Sequence, residues 1–248
     1  MTHALAAKLA AAAPVIPNFG GGGAHSCVRR NGFFCWDWFR SHWSDTFQPA
    51  LIDHIKLTAI AVGIGFAISF AAALLAYRFV RFETPFSIFS GILYTIPSAA
   101  LFQLLVPITG LTTTTVEIAL VSYTLLIMFR NTVVGLRGVS DDVREAARGM
   151  GLTRAQTLLR VELPLAAPAI LAGVQIAAVT VISLATIGAF IVDEGLGGPI
   201  FRAITIDFNT EFVAAAVLTT LLAVLVYAFI AAAQRLLTPW ARREAAAR

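Results

Sequence analysis

The stretch Ile55–Tyr77, IKLTAIAVGIGFAISFAAALLAY, is apolar from end to end apart from Lys56 at its edge. A helix rises about 1.5 Å per residue, so about 20 apolar residues cross the roughly 30 Å hydrocarbon core of a bilayer. A surface helix of a soluble domain would carry a polar face, and this run offers none. Composition agrees: 58% of the 248 residues are hydrophobic and only 13% charged, and the mean hydropathy is +0.80. A soluble domain carries about 25% charged residues. One soluble core and a disordered chain are both excluded, and an all-α integral membrane protein remains.

Four further runs of the same kind follow. Pro85–Ile108 contains Pro97, which is expected to kink a membrane helix without ending it. A shorter run, about Thr115–Met128, has Glu117 near one end and Arg130 at the other; Leu165–Val192 and Phe212–Leu236 complete about five transmembrane helices. Basic residues accumulate on the cytoplasmic side of membrane proteins. Arg78 and Arg81 follow the first run. Arg130, Arg137, Arg144, Arg148, Arg154 and Arg160 follow the third, and Arg235, Arg242, Arg243 and Arg248 follow the fifth. These are twelve of the 18 Lys and Arg residues, so the N-terminus is expected outside and the C-terminus inside. The net charge of +4 thus reads as orientation rather than as a nucleic-acid surface.

The first 50 residues form an extension. Residues 4–16 are Ala-rich and too short to span, and Pro14, Pro17 and Gly20–Gly23 read as a connector. From Phe33 to Phe47, Trp36, Trp38, Phe39, Trp43 and Phe47 alternate with polar residues, as in an N-terminal amphipathic helix lying in the membrane interface. Cys27 and Cys35 would meet an oxidising compartment there, so a local disulfide and two free thiols both stay open.

The segment Arg130–Leu163 is long for a passive connector. Ser140 is positioned to cap a helix opening with Asp141 and Asp142. Val143, Ala146, Ala147 and Met150 give it one apolar face, and Gly149 and Gly151 end it. Thr153 and Gln156 form a capping-box pair for a second helix, expected to end near Pro164.

Glu145-Ala146-Ala147, then three residues, Gly151, nine residues, Val161, one residue and Leu163-Pro164 resemble the EAA loop of ATP-binding-cassette importer permeases. Leu93–Leu104, Arg130-Asn131-Thr132, Glu162–Leu165, Gly195-Leu196-Gly197 and Pro199–Arg202 resemble that family's glycine betaine/carnitine/choline branch. The resemblance implies a MetI-like permease core over residues 51–238, with the EAA loop at 141–164, its helix at Asp141–Met150 as cytoplasmic coupling helix, and 239–248 as a basic tail. It implies ATPase coupling through Glu145, Ala146, Ala147, Met150, Gly151, Leu163 and Pro164. It also implies two partner ATPase subunits that carry ATP and Mg, a second permease, and an extracytoplasmic solute-binding protein. Tyr94 stands where the branch often has Gln, and Asp193-Glu194 where it favours small residues. An amino acid or another small cation therefore stays open as solute beside a compatible solute.

No cofactor, metal site or catalytic set is expected in this chain. The motif G-x-x-x-x-G-K-[ST] is absent, and His3, His25, His42 and His54 all precede the first apolar run. An ion-coupled carrier would place acids or histidines within its spans, and only Glu117 comes near. Polar residues inside the spans suggest a pathway: Tyr94, Thr95, Pro97 and Ser98, Tyr123, then Thr180, Ser183 and Thr186 at every third position, with Gln175 nearby. Hydroxyls that join helices in lipid are the alternative reading.

Overall fold

The computed structural model describes residues 26–240. The Ala-rich stretch, the Gly connector, His3, His25, Arg242, Arg243 and Arg248 lie outside the described residues. Among those described, four helical stretches are long and apolar enough to cross a membrane: Trp43–Arg78, Thr113–Arg137, Arg154–Gly188 and Asn209–Leu237. In chain order, the short helices α1 (Ser26–Arg29) and α2 (Trp36–Ser41) and a π-turn at Trp43–Phe47 lead into α3 (Gln48–Arg78). Then come α4 (Val80–Thr95), α5 (Ser98–Thr109), α6 (Thr113–Arg137), α7 (Asp141–Gly149) and α8 (Arg154–Thr157). A second π-turn at Leu158–Glu162 opens α9 (Leu163–Gly188), followed by α10 (Gly197–Ile206) and α11 (Asn209–Leu237).

The second apolar run is broken, not kinked. α4 and α5 meet at 100°, because Pro97 has no N–H to give and forces Ile96 into extended backbone, φ −66° and ψ 129°. The pair still crosses the bundle. Glu83 of α4 pairs with Arg137 at the end of α6, and Thr109 of α5 hydrogen-bonds Thr115 at the start of α6. Five crossings therefore alternate in direction.

Two other boundaries move. The third run is part of a 25-residue helix, α6, which passes Arg130 and ends at Arg137. The helix after Thr153 does not stop at Pro164. It continues to Gly188, because Pro164 falls in the first turn of α9 behind the π-turn, an adjustment that absorbs proline in membrane helices.

The packing inverts the rule for soluble helices. α3 buries Ala50, Leu57, Ala61, Gly65, Ser69, Ala72, Ala73 and Ala76 at helical spacing, while Ile52, Ile60, Ile64, Ile68 and Leu75 face outward. Lipid is as apolar as isoleucine, so small residues that let backbones approach decide which face turns inward. Leu57, Ala61, Phe102, Leu120, Val181 and Ala185 join α3, α5, α6 and α9 in the central cluster.

The aromatic segment before α3 is a cap on the protein as much as an interfacial helix. Trp38 and Phe47 are buried with Phe208, Trp38 meeting Phe208 edge-on at 4.7 Å. Phe33 and Trp36 stay exposed. Asn31 Nδ2 donates to the Asp207 carbonyl, the Asn209 N–H donates to Asn31 Oδ1, and the Cys35 N–H donates to Thr210 Oγ1. Cys27 and Cys35 are disulfide-bonded, with Cα atoms 5.9 Å apart. Closing so short a loop removes about 2.5 kcal/mol of unfolded-state entropy. Cys27→Ser with Cys35→Ser should therefore lower the thermal midpoint of the purified protein by several degrees. An unchanged midpoint would assign the cap's stability to the Asn31 and Thr210 bonds alone.

Candidate functional site

The end of the bundle that carries Arg78 and Arg137 also carries α7, whose position follows from its own sequence. Asp141 and Asp142 lie in its first turn, where negative charge suits the helix dipole. Ser140 occupies the N-cap position, yet its side chain makes no capping bond. The C-terminus is tightly closed. The Leu152 N–H donates to the Ala147 carbonyl at 3.1 Å and the Gly151 N–H to the Arg148 carbonyl at 2.9 Å, the paired bonds of a Schellman motif. Gly151 has φ +82°, a conformation glycine adopts without strain. The Thr153–Gln156 capping box is present and starts α8.

The expected apolar face of α7 does not pack as one. Ala147 is buried, whereas Val143 and Met150 are exposed, Met150 to 71%. Glu145, Ala146 and Gly149 are exposed beside them. This leaves an open surface of one acid and several apolar groups. Pro164 and Leu163 lie further along, in the first turn of α9.

Arg144, which the sequence did not single out, is the residue that ties α7 to the spans. Its Nε donates to Glu162 Oε1 at 2.9 Å, one terminal nitrogen to Asp141 at 2.8 Å, and the other to the Leu136 carbonyl at 2.9 Å. Tyr77 Oη on α3 donates to the same Glu162 oxygen at 2.7 Å. One guanidinium thus joins α7, the end of α6 and the π-turn before α9, and Tyr77 brings in α3. The Arg144 guanidinium loses hydration on burial, but Asp141 and Glu162 more than offset this and hold its pKa above the ordinary value.

The structure brings part of the polar pathway set together. Tyr123 Oη donates to the Ile96 carbonyl, left open by the break at Pro97, and the Tyr94 and Tyr123 rings meet edge-on at 6.0 Å. Thr95 and Ser98 flank the same break. Thr180, Ser183 and Thr186 bond back into their own helix, to the carbonyls of Ile176, Val179 and Ser183. Gln175 does not join them. Its Nε2 donates to the Tyr227 carbonyl and cross-links α9 to α11.

At the opposite end, Asp193 and Glu194 are engaged. Arg202 bridges Asp193 and Glu211, and Glu194 accepts from Thr113. His54 corrects an expectation, because it lies inside α3 and is fully buried. The helix simply begins before the apolar run does. His54 Nε2 faces the Ile182 carbonyl and Nδ1 faces the Leu196 N–H. A carbonyl demands a donor and an N–H demands an acceptor, so the ring is neutral with its proton on Nε2.

Residues 61–243 match the family model described as "Binding-protein-dependent transport system inner membrane component". The choline transport system permease protein OpuBB of Bacillus subtilis (strain 168) is 33% identical over 75% of this chain and 86% of its own length. The carnitine transport permease protein OpuCB of Listeria monocytogenes is 34% identical over 77% of this chain and 88% of its own. A structure of the MetNI methionine ABC transporter in an inward-facing conformation superposes with a TM-score of 0.69 at 21% identity, over 76% of this chain and 94% of that one. With five alternating crossings and a capped helix at their basic end, the chain belongs to the family of inner-membrane components of binding-protein-dependent transport systems.

Proposed function

We propose that this chain is the membrane-spanning subunit of an importer that brings a compatible solute of the choline, carnitine, glycine betaine or proline class into the cell. ATP hydrolysis takes place on two separate ATPase subunits, a second permease completes the pathway, and an extracytoplasmic binding protein delivers the solute. The end bearing α7 is cytoplasmic, in keeping with the positive-inside rule, and the capped end faces outward. The observation that carries this reading is the α7 surface. It is closed by its own Schellman turn, fixed from behind by Arg144, and open in front at Glu145, Ala146 and Met150.

α7 acts as the coupling helix. The ATPases move it through Glu145, Ala146 and Met150, and Arg144 passes the displacement to α3, α6 and α9 together. Tyr94, Thr95, Pro97, Ser98 and Tyr123 line the pathway at the α4–α5 break, together with Thr180, Ser183 and Thr186 of α9. Aromatic faces suit a quaternary ammonium.

The test is uptake of labelled betaine, choline, carnitine and proline into proteoliposomes that also hold the cognate ATPase and binding protein. Glu145→Lys and Gly151→Asp should each cut uptake to a few per cent of wild type, with membrane levels close to normal. A Cβ at Gly151 meets open space, so the Asp variant acts through its positive φ, a cost of about 1–2 kcal/mol. Wild-type uptake in both variants would remove α7 from the coupling path.

A further inference from the structure

A cavity of about 540 Å³ opens between the last turn of α3, α7 and α8. Its inner wall is the Tyr77–Glu162–Arg144 cluster, where every partner is already engaged. Arg78, Arg148 and Arg154 also line it. None of these three pairs with a carboxylate among the described residues. Arg148 Nε reaches only the Arg144 carbonyl, at 3.3 Å, and Arg78 lies 5.7 Å from the centre of the Phe79 ring. Glu162, the lining carboxylate, is held by Arg144 and Tyr77 and is not available to them.

Three exposed arginines with no carboxylate partner among the described residues therefore line one hollow. Their planar forks match the oxygens of a phosphate. The rest of the wall is Leu74, Leu152, Ala155 and Leu158, with Thr157 the one further polar residue. Arg78 is the last residue of α3 and Leu74 lies one turn earlier, so the hollow sits where a membrane-spanning helix leaves the bilayer. Basic pockets at this level bind the headgroups of anionic lipids.

We propose that this cavity binds the phosphate of an anionic phospholipid, with Arg78, Arg148 and Arg154 on the phosphate and Leu74 against the apolar part. The bound lipid braces α7 and α8 against the end of α3. Free phosphate shares the oxyanion chemistry but makes no use of the apolar wall. The proposed orientation decides only which leaflet supplies the lipid. Lipid retention is read without transport, so this proposal and the proposed function can fail separately.

The experiment places the permease, alone and assembled with its ATPase, in nanodiscs of equal phosphatidylcholine and phosphatidylglycerol. Retained lipid is counted by native mass spectrometry after release. Wild type should retain phosphatidylglycerol over phosphatidylcholine in both forms. Arg78→Gln with Arg154→Gln should lower that preference roughly 25-fold, two charges each worth about fivefold. Arg160→Gln, an exposed arginine at the same end that does not line the cavity, should leave it unchanged. Equal retention of both lipids by wild type, or an unchanged preference in the double variant, overturns the proposal. So does an Arg160→Gln loss as large as the double variant's, which would mean attraction to the surface as a whole. Displacement by excess inorganic phosphate would make the ligand a soluble anion. Loss of lipid on ATPase assembly would give the cavity to an acidic side chain of that partner.

Discussion

An Arg144→Met permease is expected to accumulate poorly in the membrane and to import almost no solute. The Glu162 side chain is only 6% exposed and Arg144 is its ionic partner. Removing one member of a buried pair strands the other charge, at a cost of about 3–5 kcal/mol. The Leu136 carbonyl, in the last turn of α6, loses its donor as well. Arg144→Lys should recover the protein level in part, since one ammonium cannot span the same acceptors as a planar fork.

A second substitution separates folding from coupling. Arg144→Met with Glu162→Gln removes the stranded charge and should restore the membrane level. Uptake should stay at a few per cent of wild type, because α7 is still detached from the spans. If the double variant imports solute at the wild-type rate, Arg144 is only a counter-ion and transmits nothing. Its pKa is already raised in the folded protein. The guanidinium therefore stays charged throughout any workable assay, and titration of Arg144 makes no contribution to the pH dependence of uptake.

The second large effect lies at the α3–α6 contact. A Cβ placed on Gly65 would overlap the Thr124 side chain, whose hydroxyl is bonded to the Val121 carbonyl at 2.7 Å. Gly65→Leu must push two packed helices apart. Overpacking of this kind costs about 1–3 kcal/mol for added methylenes, and a whole leucine side chain should exceed the upper end. The folded fraction in detergent and its thermal midpoint should both fall sharply. Gly63, two residues away, meets nothing within 4 Å, so Gly63→Leu should leave both nearly unchanged. Leucine is a better helix former than glycine, so equal losses at the two positions would mean that a bulky side chain anywhere on this helix is harmful and that the Thr124 contact is not the cause.

The membrane class, the five apolar runs, the α7 helix and the Thr153–Gln156 box were all legible in the sequence. Each rests on interactions among near neighbours: unbroken apolarity, charge at a helix start, and hydroxyl and amide at capping spacing. The limits of the runs were less legible. α6 outlasts its apolar part because a helix continues as long as its backbone bonds do, and Arg130 at the bundle end does not interrupt them. Pro97 and Pro164 look alike in sequence. One breaks the chain by 100° and the other begins a turn of helix, according to whether a π-turn re-satisfies the backbone.

Among the candidate residues, Glu145, Met150 and Gly151 were named from their motif, while Arg144 beside them was passed over. Its acceptor Glu162 lies 18 residues on, Tyr77 reaches that carboxylate from α3, and no local pattern announces either. His54 was placed ahead of the first run, and its buried role was hidden in the same way, since Ile182 and Leu196 reach it only after α3 and α9 have packed.

The amino-acid sequence by itself determined that this chain crosses a bilayer, which end of the bundle gathers the positive charge, and where α7 starts and stops. Tertiary structure alone decided which faces of its helices turn inward. Both sides of a membrane helix are apolar, so hydropathy carries no sign of direction. Steric fit at Gly65 and Ala61 does. It also decided that Arg144 is the link between α7 and the spans, because only packed helices bring its guanidinium to the Glu162 carboxylate and the Leu136 carbonyl as well as to nearby Asp141.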